Sequence, residues 1–262
     1  MKTLKIKFFA ATLLSASIFL SSCQKEKLPE VTDSTAEITS IDDVYRETME
    51  AGTETKNHKS LGCKVVTQDT AHGRIIIDFG SGCVDGHGGT RSGQIVILYN
   101  SPNFLQSGNI IKVSFNNYRQ NANQLAGWAE YRNNGFNTNG NIEMKCISNI
   151  IITAGNGIVT TLNTNQTYEL LAGSNTTTKE DDQFSVTGTT TGSLSNGSHL
   201  EYYILQPLVK NRTTGCNQFY VQGQTKTRKT GQPEKYLDYG NGTCDNLAEE
   251  TVNGLTRIIT LN

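Results

Sequence analysis

Beyond residue 60 no segment of more than ten residues keeps a helical period, which excludes a helical bundle and the crossover helices on which a parallel sheet depends. There is no basic patch. The 23 Lys and Arg are matched by 24 Asp and Glu, for a net charge of −1 and a pI near 6.4, so nucleic acid is not an expected partner. The four histidines, His58, His72, His87 and His199, occur singly and without HExxH-like spacing, and a zinc site has no support. Most of the chain carries no catalytic signature. The leading apolar run, FFAATLLSASIFL from Phe8 to Leu20, has thirteen residues, too few for a comfortable membrane span.

That run follows a short basic start, MKTLKIK, and has the length of a signal-peptide core. Leu20-Ser21-Ser22-Cys23 comes next and resembles the lipobox of bacterial lipoproteins. Small residues fit the peptidase site, and the cysteine thiol becomes the thioether that carries the lipid. Its position after a basic start and an apolar core separates this triplet from a chance small-small-Cys. Acyl chains contribute about 0.8 kcal/mol per buried CH₂, so several chains on Cys23 anchor stably where one would not. The resemblance implies a signal peptide over 1–22, a mature protein beginning at Cys23, and a location at the outer membrane. Whether the domain faces the periplasm or the cell surface is left open.

The segment QKEKLPEVTDSTAEITS is polar, charged and nearly free of bulky apolar side chains, so it cannot offset its own ordering entropy. Residues 23–60 read as a lipidated tether. Within it, Ile41, Val44, Tyr45 and Met49 recur at the helical period, with Ser40 as N-cap and acids in the first turn. One short helix over 41–50 is expected. The folded domain is placed at 61–262.

Removing the signal peptide leaves about 240 residues, enough for one sizeable all-β domain or two small ones. Short runs rich in β-branched and aromatic residues recur between Gly, Asn, Ser and Thr clusters: RIIID (74–78), QIVILY (94–99), IIKVSF (110–115), IEMKCISNIIIT (142–153), QFSVTG (183–188), EYYIL (201–205), QFYVQG (218–223) and LTRIITL (255–261). These read as strands, with turns at Asn133-Asn134-Gly135, Asn139-Gly140 and Asn196-Gly197. Strands joined by short turns make a largely antiparallel sheet or sheets, a meander or a sandwich. Alternation such as Lys112-Val113-Ser114-Phe115 leaves one face of several strands solvated.

One motif occurs twice. DFGSGCVD (78–85) aligns without gaps on DYGNGTCD (238–245) at an offset of 160 residues, matching Asp78 with Asp238, Gly80 with Gly240, Gly82 with Gly242 and Asp85 with Asp245. Related hairpin units are therefore expected at 63–99 and 216–262. Setting Cys23 aside leaves five cysteines in an oxidising compartment. Facing residues of an antiparallel hairpin have numbers with a constant total. A turn over Asp69 to Gly73 sets that total at about 142 to 146, and Cys63 with Cys83 gives 146. A turn around Lys229 to Gln232 sets it near 461, and Cys216 with Cys244 gives 460. Two disulfides follow, Cys63–Cys83 and Cys216–Cys244. Cys146 is left as a buried free thiol, with no neighbouring His or basic cluster to activate it.

Asp78, Asp85, Asp238 and Asp245 are the only candidates for a cation or for paired carboxylates. Calcium wants six to eight oxygen ligands, and one loop offers two aspartates in a spacing unlike an EF-hand. A structural turn accounts for more: the glycines permit positive φ and the aspartates cap backbone N–H groups. No cofactor is expected, with calcium the alternative. Trp128, Tyr131, Tyr202 and Tyr203 could supply stacking platforms for a glycan, although aromatics on strands are more often core.

The lipobox, the IDDVY helix, IIIDFGSGCVDGHGGTRSGQIVILY, VSFNNYRQN...LAG and DYGNGTCDN...VNGLTRIITL together resemble a group of envelope lipoproteins of Bacteroidota over nearly the whole chain. The resemblance implies a cell type and an anchor and supplies no function. Gln24-Lys25-Glu26-Lys27 resembles the charged stretch that sends some lipoproteins of that phylum to the cell surface, in a less acidic form. Asp33-Ser34-Thr35 and Asp69-Thr70-Ala71 resemble its O-glycosylation motif, which makes Ser34 and Thr70 candidate acceptors. The expected role is non-catalytic binding or structure in the envelope, with an envelope protein or a glycan as partner. The alternatives are a glycan-binding module and a carboxylate-dependent hydrolase.

Overall fold

The structure is a computed structural model that describes residues 35–53, 63–85, 89–176, 178, 180–213, 216 and 219–261. Cys23, Ser34 and His87 lie outside the described residues. One helix, α1 (Thr35–Thr53), precedes fourteen strands. These are β1 (Val65–Asp69), β2 (Arg74–Asp78), β3 (Cys83–Val84), β4 (Thr90–Tyr99), β5 (Ile110–Gln120), β6 (Asn123–Phe136) and β7 (Ile142–Thr153). The second half holds β8 (Val159–Ala172), β9 (Gln183–Leu194), β10 (His199–Asn211), β11 (Gln222–Lys229), β12 (Lys235–Asn241), β13 (Leu247–Val252) and β14 (Leu255–Thr260).

All fourteen strands form one antiparallel sheet, each paired with its neighbours in sequence except the two-residue β3, which adds to β4 off the main path. The all-β, antiparallel fold expected from the sequence is thus the architecture, and of the meander and the sandwich left open it is the meander. Its physical basis is clearest in β7: Ile142, Met144, Cys146, Ser148, Ile150 and Ile152 are buried, while the alternate residues look outward. A period of two leaves one face for a core and one for solvent.

The core face closes on α1. Ile38, Ile41, Val44, Met49 and Ala51 are buried there, and Tyr45 stacks on Tyr168 of β8 with ring centroids 3.9 Å apart. Contacts reach the helix from Arg91 of β4, Gln120 of β5, Tyr131 of β6 and Phe184 of β9. Lys64, ahead of β1, and Arg212, after β10, both meet Glu50. Strands β1 to β10 therefore curve around the helix, and flanks distant in sequence converge on a single carboxylate. The helix expected on the tether is part of the domain core. It is also longer than expected: Ile38 extends the apolar stripe by one turn, and Ser40 is buried within the helix rather than capping it.

Other expectations shift for local reasons. Asn133-Asn134-Gly135 is not a turn but lies inside β6, where the register slips between Asn133 and Gly135. Buried Asn133 accepts the Gly135 N–H at 2.7 Å and donates to the Phe104 carbonyl at 3.3 Å. An Asn-Gly signal here marks a bulge. Asn139-Gly140 and Asn196-Gly197 do form turns. Among the described residues of QFYVQG, Gln222 and Gly223 belong to a strand, and Tyr220 and Val221 are buried in the segment before it.

Candidate functional site

The repeated motif folds into the same turn twice. Asp78 accepts the Gly80 N–H at 2.7 Å and the Gln94 side-chain amide at 2.8 Å. Asp238 accepts the Gly240 N–H at 2.9 Å and the Gln224 side-chain amide at 2.7 Å. The Gln94 amide, then the Gly80 N–H, hold the Asp78 carboxyl below the usual range. Asp85 accepts the Gly89 N–H at 2.9 Å and the Arg91 guanidinium at 2.8 Å, whereas Asp245 accepts the Leu247 N–H at 3.2 Å. Among the described residues no three His, Cys, Asp or Glu side chains converge as metal ligands. The turn reading accounts for Asp78 and Asp238 completely, since each commits both carboxylate oxygens to it.

The similarity stops after the turn. QIVILY, in β4, pairs with β2, but its counterpart β14 pairs with β13, a strand the first unit lacks. Gly93 and Gly254 differ accordingly. Gly93, at φ 75°, sits in a bulge where a Cβ would lie 2.2 Å from the Asn117 carbonyl oxygen, while Gly254 is in the open turn between β13 and β14.

Both disulfides form as expected, Cys63–Cys83 and Cys216–Cys244, each with its Cα atoms 5.5 Å apart. The route differs from the register argument. Val65 faces Asp78, a total of 143, so Cys83 meets Cys63 only after the Gly80 to Gly82 turn carries it into β3. Cys216 and Cys244 both lie beyond the β11–β12 ladder. Cys146 is free and buried, its thiol pushed up to about 12 by burial, which makes it inert.

Neighbouring carboxylates of α1 engage the two units separately. Asp43 meets Arg91, which also contacts Glu47, Asp85 and the Tyr118 hydroxyl and lies over the Phe79 ring. Asp42 accepts the Tyr220 hydroxyl at 2.8 Å, and Tyr220 packs edge-on against Tyr239. The motif's aromatics, Phe79 and Tyr239, thus each buttress a residue that grips the helix. Burial raises the Asp42 carboxyl to about 6 and lowers the Lys210 ammonium. The acids of IDDVY, read from the sequence as first-turn helix acids, are the docking groups of the core. Sequence gave no signal for their partners, which lie 48 and 178 residues away.

The second unit also borders an open cleft of about 320 Å³, lined by Asp238, Tyr239, Asn241, Asp245, Glu249 and Ile258 among others. Thr70 is exposed in the short 3₁₀ turn between β1 and β2.

The four aromatics with stacking potential divide between the faces. Tyr131 and Tyr202 are core. Tyr203 points outward, half-buried, and Trp128 is 47% exposed. Ser114, Trp128, Asn149, Asn163 and Thr191 face one another in turn across β5, β6, β7, β8 and β9, forming one outward row of uncharged polar side chains around the chain's single indole. Among the described residues no helix is long and apolar enough to cross a membrane. No family model, curated protein or solved structure matches the chain.

Proposed function

We propose that this chain is a lipid-anchored protein of the outer membrane whose β domain has a non-catalytic binding role, with the solvent face of the sheet as its working surface. The observation that carries the reading is the outward row on β5 to β9, an exposed indole among hydroxyls and amides on a scaffold braced from behind by α1. The anchor rests on the basic start, the apolar run and Cys23. Because α1 begins at Thr35 and is buried in the core from Ile38, only residues 24–34 lie between the helix and the lipidated cysteine, a reach of at most about 40 Å when fully extended. On this reading the domain lies closer to the membrane than a tether over 23–60 would allow.

A hydrolase built on Asp78, Asp85, Asp238 and Asp245 is less well supported. Two of these carboxylates are committed to turns and a third to Arg91, which leaves them poorly placed as nucleophile or general acid. The reading is tested in cells by a photo-crosslinking amino acid at position 163, with a Cys23→Ala control. We expect a membrane-fraction adduct from position 163 and release of the Cys23→Ala protein from the membrane. A soluble wild-type protein without adducts would overturn both halves of the proposal.

A further inference from the structure

We propose that the row Ser114, Trp128, Asn149, Asn163 and Thr191 binds a linear, uncharged glycan laid across the strands. This rests on the binding role proposed above and names its ligand class. Neighbouring strands lie about 4.8 Å apart, close to the length of one hexose in an extended chain, so a glycan crossing the sheet sets roughly one sugar over each strand. Trp128 supplies an indole face for the C–H side of a pyranose ring and an N–H donor at its edge. The rest of the row consists of hydroxyls and amides, which both donate and accept, as a hydroxyl-rich ligand requires.

The row is also oriented. Asn149 donates its amide to the Asn163 carbonyl at 2.8 Å, which turns the Asn149 carbonyl and the Asn163 amide toward a ligand. Gly127, at φ 92°, lets β6 press against β7 beside Trp128, because a Cβ there would lie 2.1 Å from the Asn149 carbonyl oxygen. The backbone that carries the indole is therefore fixed against β7.

Charge selects the occupant. No ionised group stands in the row from Ser114 to Thr191, and the next pair along it, Glu201 and Arg228, neutralise each other at 3.6 Å. Glu130, in the neighbouring row, is paired with Lys112 and Arg132, and neither a polyanion nor a polycation finds a counter-charge within the row itself. One aromatic among amides and hydroxyls also makes a poor apolar centre for a protein interface.

Since Trp128 is the chain's only tryptophan, its fluorescence reports on the site directly. The full mature chain in detergent would be titrated with cellohexaose, mannohexaose and xylohexaose, with a galacturonate hexamer as the charged comparison. We expect a saturable fluorescence change with at least one neutral hexaose, about tenfold weaker binding of the matching disaccharide, and none of the charged hexamer. By calorimetry, Trp128→Ala should lose about tenfold or more in affinity and Asn163→Ala about threefold, both with unchanged melting temperature. The proposal falls if no neutral hexaose binds, if affinity is independent of chain length, or if Trp128→Ala binds normally. Should position 163 crosslink an envelope protein while no hexaose binds, the glycan assignment fails and the binding role stands. If neither occurs, both fail.

Discussion

The two glycine-turn units share an Asp-aromatic-Gly turn and a glutamine clamp, yet they hold α1 by different means. The first does so through Arg91, a buried cation in contact with Asp43, Glu47 and Asp85. The second does so through a neutral hydroxyl, that of Tyr220 on Asp42. A repeated motif can therefore serve as a structural bracket while its attachment varies. The charged attachment is the more brittle, because removing one member of a buried ionic cluster strands the others without solvent.

The largest effect should follow from breaking the first bracket. Arg91→Ala opens a buried void and takes a cation from Asp43, Glu47 and Asp85, of which the first two keep Arg46 and Lys64, and is expected to destabilise by about 3 kcal/mol. Tyr220→Phe deletes one hydrogen bond and should cost about 1–2 kcal/mol. Chemical denaturation of the two variants in parallel measures the contrast. Equal losses would show that the brackets are equivalent.

The disulfides come next. They span 20 and 28 residues, and loop-closure entropy assigns each about 3 kcal/mol, with the longer loop ahead by a few tenths. Cys63→Ser and Cys216→Ser should accordingly lower stability almost equally. Non-reducing peptide mapping should recover these two pairs and a reduced Cys146.

These bridges mark how far the sequence could be read. Pairing was legible because hairpin register confines the partners to a few positions. The actual path, through a turn into β3, was not, since Gly80 to Gly82 bends the chain out of the ladder. β7 was legible to its ends because a run rich in β-branched residues lies between Asn- and Gly-rich turn signals. The sequence also held the parity of Trp128 against Tyr131, and of Tyr202 against Tyr203, but not which parity faces inward. That is decided by where α1 docks, and the docking partners are too far apart in sequence to be found by pattern. β13 was missed because LAEETV is half polar and short, and its burial depends on β12 and β14 on either side.

Asp42 gives the second bracket a pH dependence. Burial raises its carboxyl from 3.8 to about 6 in the folded state, so between those values the native protein holds a proton that the unfolded chain has lost. Stability contributed by this group is therefore present at low pH and lost as pH rises through about 6. Compared with Asp42→Asn, the wild type should lose about 2 kcal/mol more between pH 4 and pH 7. Parallel profiles for the two proteins would remove this assignment. Lys210 and Tyr220, which face Asp42, pull its carboxyl down, and the rise to about 6 is what remains after their effect.

The smallest expected effect is the sharpest comparison of the two turns. In Asp78→Asn and Asp238→Asn the new amide oxygen can still accept the glycine N–H, but the new NH₂ points at the NH₂ of Gln94 or Gln224. Relief requires the glutamine amide to flip. Gln224 can flip freely, because among the described residues its side-chain oxygen accepts no hydrogen bond. Gln94 can turn only together with Asn116, whose amide donates to its oxygen at 3.0 Å, since flipping alone would set two donors against each other there. Asp78→Asn should therefore cost about 1 kcal/mol more than Asp238→Asn. Adding Asn116→Ala should erase that excess, since it frees Gln94 to turn, and a double-mutant cycle between positions 78 and 116 measures the coupling. A cycle that closes with no coupling would mean that the two turns tolerate the loss of charge alike and that the glutamine clamp is not what distinguishes them.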